Sequence, residues 1–434
     1  MDYVVINRDF GQGEELTALP VAGSRNFLDS QKENTVYDVL VKGYGEDLGL
    51  VLKKYIEIEK DRIQQAGILR GSQRLRLLSY VYRLTDSRIQ QPVNETVVDF
   101  IFRVTLEGDG GRLAAEDFRI RYILDMRPCA GACIGPLIFP CREEETVLKK
   151  YRIRTNEFLL PILYEKDYEW LAHEIISRYF PEDPERLDAQ ELARRMGLRV
   201  WDVHFKDRTI LGQIYYDFSN TELLDDNGNS YTARIPPGTI LISRDNCSAP
   251  AVRSSTIAHE CSHMYLDRWY FLLQMMGGAR SPYTSRKKDT GRRKFPFRKK
   301  TAMEWMELQC EKMPAYILME RDSTKKYIEK LLAGRRDPAA VRNAVVSLAN
   351  HCKVSRSMAK YRMIELGFQE AEGVFGYING KAVPDHGCSA IWPKGVTYTI
   401  PVQDLAVLLE ANLEFEAAMK NGRYIYVEGL ACLN

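Results

Sequence analysis

The sequence predicts an α+β fold arranged in more than one domain, on three observations. At 434 residues the chain is long enough for two or three domains and a sizeable core. Its 45% apolar and 28% charged residues describe an ordinary soluble protein. Helix-patterned segments stand beside strand-patterned runs that come in pairs around turn signals.

The elements follow in chain order. Residues 1 to about 30 are polar, contain glycine and read as loose chain. From about 35 to 70, Val36, Val39, Leu40 and Tyr44, then Leu48, Leu52, Tyr55 and Ile56, fall at helical spacing. VVDFIFRVTLE and EDFRIRYILDM read as strands on either side of the turn GDGGR. After the acidic REEET at 142–146, YEWLAHEIISRYF is helix-patterned, and LDAQELARRMGLRVWDV reads as a short helix stopped at Gly197 and followed by a strand. TILGQIYYDF and GTILISRD are expected as strands flanking the turn signal DDNGNS. A helix is expected over about 253–276, a breaker-rich loop over 277–300, and TAMEWMELQCEKMPAYILM resumes helical spacing. RDPAAVRNAVVSLANHCKVSRSMAKYRMIELGF predicts two helices joined by a short turn at 352–355. The tail reads as a hairpin around Asn379-Gly380 and an amphipathic helix, VQDLAVLLEANLEFEAAMKNG, ending at Gly422. These shifts divide the chain into an N-terminal α+β region at 1–145, a core at 146–325, a helical segment at 326–370, and a hairpin with helix at 371–434.

Charge and composition narrow the function classes only slightly. The chain has 61 basic and 59 acidic residues, so its net charge of +2 names no partner. No apolar run reaches the roughly 18 residues of a membrane span. The start MDYVVINRDFGQGEE lacks the basic-then-apolar layout of a signal peptide. A cytoplasmic protein without a membrane partner is therefore expected. Nine cysteines, an odd number without repeating short spacing, fit reduced thiols. Cys129, Cys133 and Cys141 form the closest group, but with no histidine nearby and no CxxC pair they read as buried or free thiols.

The stretch SSTIAHECSH, residues 254–263, carries the chemistry. Residues i and i+4 share one helix face, so His259 and His263 can direct ring nitrogens at one ion about 2.0–2.1 Å away. Glu260 lies one position round, placed to act as general base on a water there without ligating. The chain contains its own control: His173-Glu174 begins the same way, but Ser177 stands where the second histidine would be, so that pair reads as helix surface. A third protein ligand is needed. Asp267 stands four residues past His263 and the next histidine is His351, which favours a carboxylate from the following helix. Glu304, Glu307 and Glu311 lie at i, i+3 and i+7, and spacing does not choose among them.

Over about 165–370 the sequence resembles the ImmA/IrrE family of metallo-endopeptidases, zincin-like proteins of bacteria and their mobile elements. LARRMGLRV, the strand ending in TILISRD, RSSTIAHECSH, ELQCEKMPAYILM and LANHCKVSRSMAKYRMIELGF appear in family order. The resemblance implies a zincin-like core of helices packed on a small, mostly antiparallel sheet, followed by a helix-turn-helix-like segment. Its register selects Glu307 as the third ligand of Zn²⁺ beside His259 and His263, with Glu260 as the catalytic base. It further implies a zinc metallo-endopeptidase that cuts a regulatory protein, such as a transcriptional repressor. The chain departs from the family pattern at Glu320, at Cys310-Glu311, and in a long basic insertion between His263 and Glu307.

Other signals point to partners. RKKDTGRRKFPFRKK at 286–300 sets nine positive charges against one negative, suited to nucleic acid, to an acidic substrate, or simply to a solvated loop. In the helical pair at 339–368, Ser355 is placed as an N-cap, and Arg356, Lys360 and Arg362 follow on a helix of a size to enter a major groove. Val354, Met358, Met363 and Leu366 on the same pair are what packing alone requires. Cys261 reads as a small buried residue; Tyr265 and His386 are candidates for oxyanion stabilisation. The alternative to a peptidase is a DNA- or protein-binding regulator whose metal site is structural. A pure interaction scaffold would carry no stoichiometric metal.

Overall fold

The computed structural model describes residues 4–6, 34–36, 38–39, 52–54, 56–65, 67–89, 95–125, 137–140, 152–182, 186–276, 283–287, 301–336, 338–373, 377–378, 381–382, 399–402, 405, 409, 419–422, 424–427 and 430–433. The protein is mixed α+β, with several sheets and ten α-helices among the described residues. None of those helices is long and apolar enough to cross a membrane. The readings at Cys129, Cys133, Cys141 and His386, the basic run from 288 onward, and most of the tail helix lie outside the described residues.

Contacts group the chain into two compact units. One comprises 1–163, 263–282 and 293–307; the other comprises 164–262, 283–292 and 308–434.

The first unit is built on an antiparallel sheet. Its strands are β1 (Val4–Ile6), β2 (Arg76–Ile89), β3 (Glu95–Glu107), β4 (Leu113–Asp125), β5 (Leu137–Pro140) and β6 (Ile153–Arg154). They run in the order β1-β2-β3-β4-β5, with β6 paired to β2. The expected hairpin around GDGGR is β3 and β4, turning through Gly110 and Gly111, both at φ +74°. On β3, Phe100, Phe102, Val104 and Leu106 are buried while Arg103 is exposed, the period-two pattern of a strand with one covered face. Asp99 is also buried, held by Arg121 at 2.6 Å and Arg119 at 2.8 Å. Burial alone would raise its pKa, but these hydrogen bonds outweigh it and hold the carboxyl below its usual range. Upstream of the sheet, Val36, Val39, Leu52 and Ile56 are buried in helical backbone, as their spacing predicts, and α1 (Lys60–Gln65) follows.

The second unit opens with α2 (Glu165–Tyr179) and α3 (Ala189–Arg195). Asp188 caps α3 by accepting from the Gln190 and Glu191 amides, and Gly197 at φ +76° ends it, as expected. A six-stranded sheet follows from β7 (Arg199–Phe205), β8 (Ile210–Tyr215), β9 (Ser219–Leu224), β10 (Ser230–Ile235), β11 (Thr239–Ser243) and β12 (Tyr283–Lys287). Its order is β10-β9-β7-β11-β8-β12, antiparallel throughout except for β7 beside β11. The turn DDNGNS joins β9 to β10, two strands absent from the sequence reading, rather than linking β8 to β11. Val203, Phe205, Leu223, Ile235 and Leu241 pack together to form the sheet's apolar core.

The helix expected over 253–276 is two: α4 (Pro250–Leu266) and α5 (Arg268–Met276), broken at Asp267. The loop expected over 277–300 includes β12. Next come α6 (Ala302–Cys310), α7 (Met313–Leu318), α8 (Arg321–Leu332), α9 (Pro338–His351) and α10 (Arg356–Glu365). The hairpin at Asn379-Gly380 is β13 (Tyr377–Ile378) paired with β14 (Lys381–Ala382). Three short strands, β15 (Thr399–Pro401), β16 (Tyr424–Val427) and β17 (Leu430–Leu433), form a separate sheet.

Candidate metal centre

The motif sits on α4, which is buried on almost every side from Ser254 to His263 although most of those residues are polar. A helix buried all round is normally apolar, because polar groups cost free energy in the interior unless they are partnered. Part of that cost is met locally: the Ser262 hydroxyl donates to the Ala258 carbonyl at 2.7 Å. Glu260 and His263 have no exposed surface, and His259 is only 1% exposed.

A carboxylate faces each ring nitrogen of His263. Nδ1 lies 2.7 Å from Asp267 Oδ2, and Nε2 lies 3.5 Å from Glu307 Oε1. His259, one turn earlier on the same face, completes a set with His263 and Glu307 whose ligand atoms all lie within 4.8 Å of one another. Two donors bound tetrahedrally at about 2.1 Å are separated by roughly 3.4 Å, so the distance from Nε2 to Oε1 suits a shared ion. The chemistry agrees: with the Nδ1 proton directed at Asp267, Nε2 presents its lone pair to a carboxylate oxygen, an approach that a cation between them makes favourable. The donor set therefore fits a zinc-type ion.

Of the three candidate glutamates, the structure brings Glu307 to the histidines. Glu304 is exposed on the first turn of α6, where its carboxylate accepts from the Thr301 amide at 3.0 Å and its own amide donates to Thr301 Oγ1 at 3.2 Å, a capping box. Glu311 is exposed beyond the last residue of α6. A second close group, His263, Asp267 and Cys310, lies within the same 4.8 Å limit. The 2.7 Å from His263 to Asp267 is too short for two ligands of one ion and is normal for a charge-assisted hydrogen bond, so Asp267 supports the ring. Spacing offered a signal for this role, since His259, His263 and Asp267 fall at i, i+4 and i+8.

Glu260 lies against β8. A Cβ built on Gly212 would stand 2.9 Å from Glu260 Oε1 and 2.7 Å from Thr256 Cγ2, so only glycine lets this strand pass so close to Glu260. Cys261 is buried, and that burial pushes its thiol well above the usual range, which suits a packing role. Tyr265 is likewise buried. His173 lies exposed on α2, as expected of a surface pair.

In the helical pair, Ser355 does cap α10, accepting from the Met358 amide at 3.0 Å. Lys360 and Arg362, however, are buried. Arg362 grips Glu169 through two hydrogen bonds of 2.7 and 2.9 Å and donates to the Met319 carbonyl at 2.9 Å. These two cations belong to the interior rather than to a groove-facing surface.

No protein-family model matches the chain, and no curated protein matches it.

Proposed function

We propose that the protein is a zinc-dependent endopeptidase with a zincin-like core of the ImmA/IrrE type, acting in the cytoplasm on a specific regulatory protein such as a transcriptional repressor. The observation that carries this reading is the convergence of His259, His263 and Glu307, whose ligand atoms lie within 4.8 Å of one another, with Glu260 next to His259 on the same buried helix. Two imidazoles and a carboxylate are the protein ligands of many hydrolytic zinc sites, which keep one position open. His259, His263 and Glu307 would hold the zinc, which would supply Lewis acidity toward a scissile carbonyl and a bound water. Glu260, adjacent to His259 but one position round the helix, takes the proton of the attacking water and passes it to the leaving amine. Glu307 is the partly exposed member of the set, with 29% of its side chain accessible against 0% for His263. The helix-turn-helix-like pair α9–α10 acts as scaffold in this reading, as the buried Arg362–Glu169 pair supports.

The test combines metal content with cleavage. Purified wild type should hold about one zinc per chain, and His263→Ala and Glu307→Ala should lose it. Glu260→Gln should keep the metal but lose the new protein N-termini that wild type generates in a bacterial lysate, read by N-terminal labelling. A Glu260→Gln variant that generates the same N-termini as wild type would overturn the peptidase reading and favour a regulator with a structural metal.

A further inference from the structure

We infer that Asp267 is a positioning residue of the metal centre: its carboxylate fixes His263 in the tautomer that carries its proton on Nδ1 and turns Nε2 toward Glu307. This rests on the proposed zinc reading and adds a residue to it.

The geometry is specific. Asp267 Oδ2 lies 2.7 Å from His263 Nδ1, and the two side chains are 1% and 0% exposed, so water does not compete for the bond. A neutral imidazole has one donor nitrogen and one acceptor nitrogen, and a carboxylate at hydrogen-bond distance makes Nδ1 the donor. Nε2 is then the acceptor, and it is the nitrogen that lies 3.5 Å from Glu307 Oε1. The same bond sets the ring plane about the Cβ–Cγ axis and increases the electron density of the ligating nitrogen.

The backbone holds Asp267 in place from both directions. Its amide donates to the His263 carbonyl at 2.8 Å, closing the last turn of α4, while its own carbonyl accepts from the Tyr270 amide at 3.0 Å, opening α5. The helix break thus has a use: it ends α4 one turn after His263 and leaves a carboxylate there. A continuous helix with an apolar residue at this position would leave Nδ1 facing an interior without an acceptor.

The experiment is a zinc-affinity titration against a chromophoric chelator on the full chain, comparing wild type with Asp267→Asn and Asp267→Ala, each checked by circular dichroism. Removing a hydrogen-bonded partner of a metal ligand weakens affinity by about 10- to 100-fold. Asp267→Asn keeps the size and an acceptor oxygen but loses the charge, so it should weaken zinc binding by about 10-fold, and Asp267→Ala by more. The cobalt-substituted Asp267→Asn protein should also show a shifted visible spectrum. If both variants bind zinc as tightly as wild type while His263→Ala does not, the positioning role is wrong and the zinc site stands. If wild type itself binds no zinc, the reading beneath it falls. Should either variant fail to fold, the ring ¹H–¹⁵N spectrum of zinc-loaded wild type decides: a proton on Nδ1 and metal on Nε2 of His263 support the role, and the reverse tautomer overturns it.

Discussion

Replacing Gly212 with alanine tests how closely β8 is packed against the turn of α4 that carries Thr256 and Glu260. The added Cβ would fall 2.7 Å from Thr256 Cγ2 and 2.9 Å from Glu260 Oε1. Carbon atoms in contact prefer about 3.5–4.0 Å, so the first overlap is roughly 0.8 Å. Thr256 is β-branched, fully buried and in mid-helix, and its restricted χ1 gives little room to turn away. The strand or the helix must therefore shift, at a cost of about 1–3 kcal/mol. Thr256→Ser removes Cγ2 and with it the shorter contact. A double-mutant cycle in urea should then show Gly212→Ala and Thr256→Ser together to be less destabilising than their sum, by about 0.5–3 kcal/mol. On the proposed reading, in which Glu260 is the base and not a ligand, Gly212→Ala should also displace Glu260 and lower cleavage far more than zinc affinity. Strictly additive effects, or a Gly212→Ala protein as stable as wild type, would refute this account of the packing.

Two further perturbations probe each unit separately. Arg362→Ala should destabilise the second unit by about 3 kcal/mol, the lower end for breaking a buried pair because Glu169 is 24% exposed. Arg362→Lys should recover only part of this in the same denaturation assay, since a lysine ammonium cannot reproduce the two-pronged grip on Glu169. In the first unit, Asp99 has a folded pKa lowered from 3.8, so it binds protons more readily when unfolded. Its contribution is fully present above the unfolded value and is lost as pH falls from about 4 through the folded pKa. Asp99→Asn should accordingly destabilise the protein at pH 7 and flatten the loss of stability as pH falls below about 4, measured by urea unfolding at each pH.

The elements that sequence reading recovers are those in which one period runs unbroken. β3 alternates cleanly from Phe100 to Leu106, and its partner β4 begins after a glycine turn, so both are legible. β2, at 14 residues the longest strand described, is not. Its pairing with β3 slips between Leu77 and Ser79 and again between Leu84 and Asp86, and each irregularity swaps the faces to which successive side chains point. No single alternation therefore spans RLLSYVYRLTDSRI, and the run reads as neither helix nor strand. β9 and β10 are obscured for a different reason: much of their surface is exposed, so SNTELL and SYTARI lack the apolar half of the pattern.

The site divides along a similar line. His259, Glu260 and His263 are legible because one helix turn fixes their relation, whatever the rest of the chain does. Spacing does not fix Glu307, because its place depends on how α6 packs, and Glu304, Glu307 and Glu311 are equally compatible with it; only the register of the family resemblance singled it out. In the structure Glu304 is engaged with Thr301 at the start of α6, Glu311 lies beyond its last residue, and Glu307 between them stands 3.5 Å from His263 Nε2. Asp267 is the more instructive case, since it sits at the same four-residue interval as the two histidines and still performs a different task. The interval says only that side chains share a face; the 2.7 Å contact says that this one meets the ring from behind, as a hydrogen-bond acceptor on the nitrogen away from Glu307. A ligand and the residue that aims it can thus have identical sequence spacing, and which nitrogen each one meets is what tells them apart.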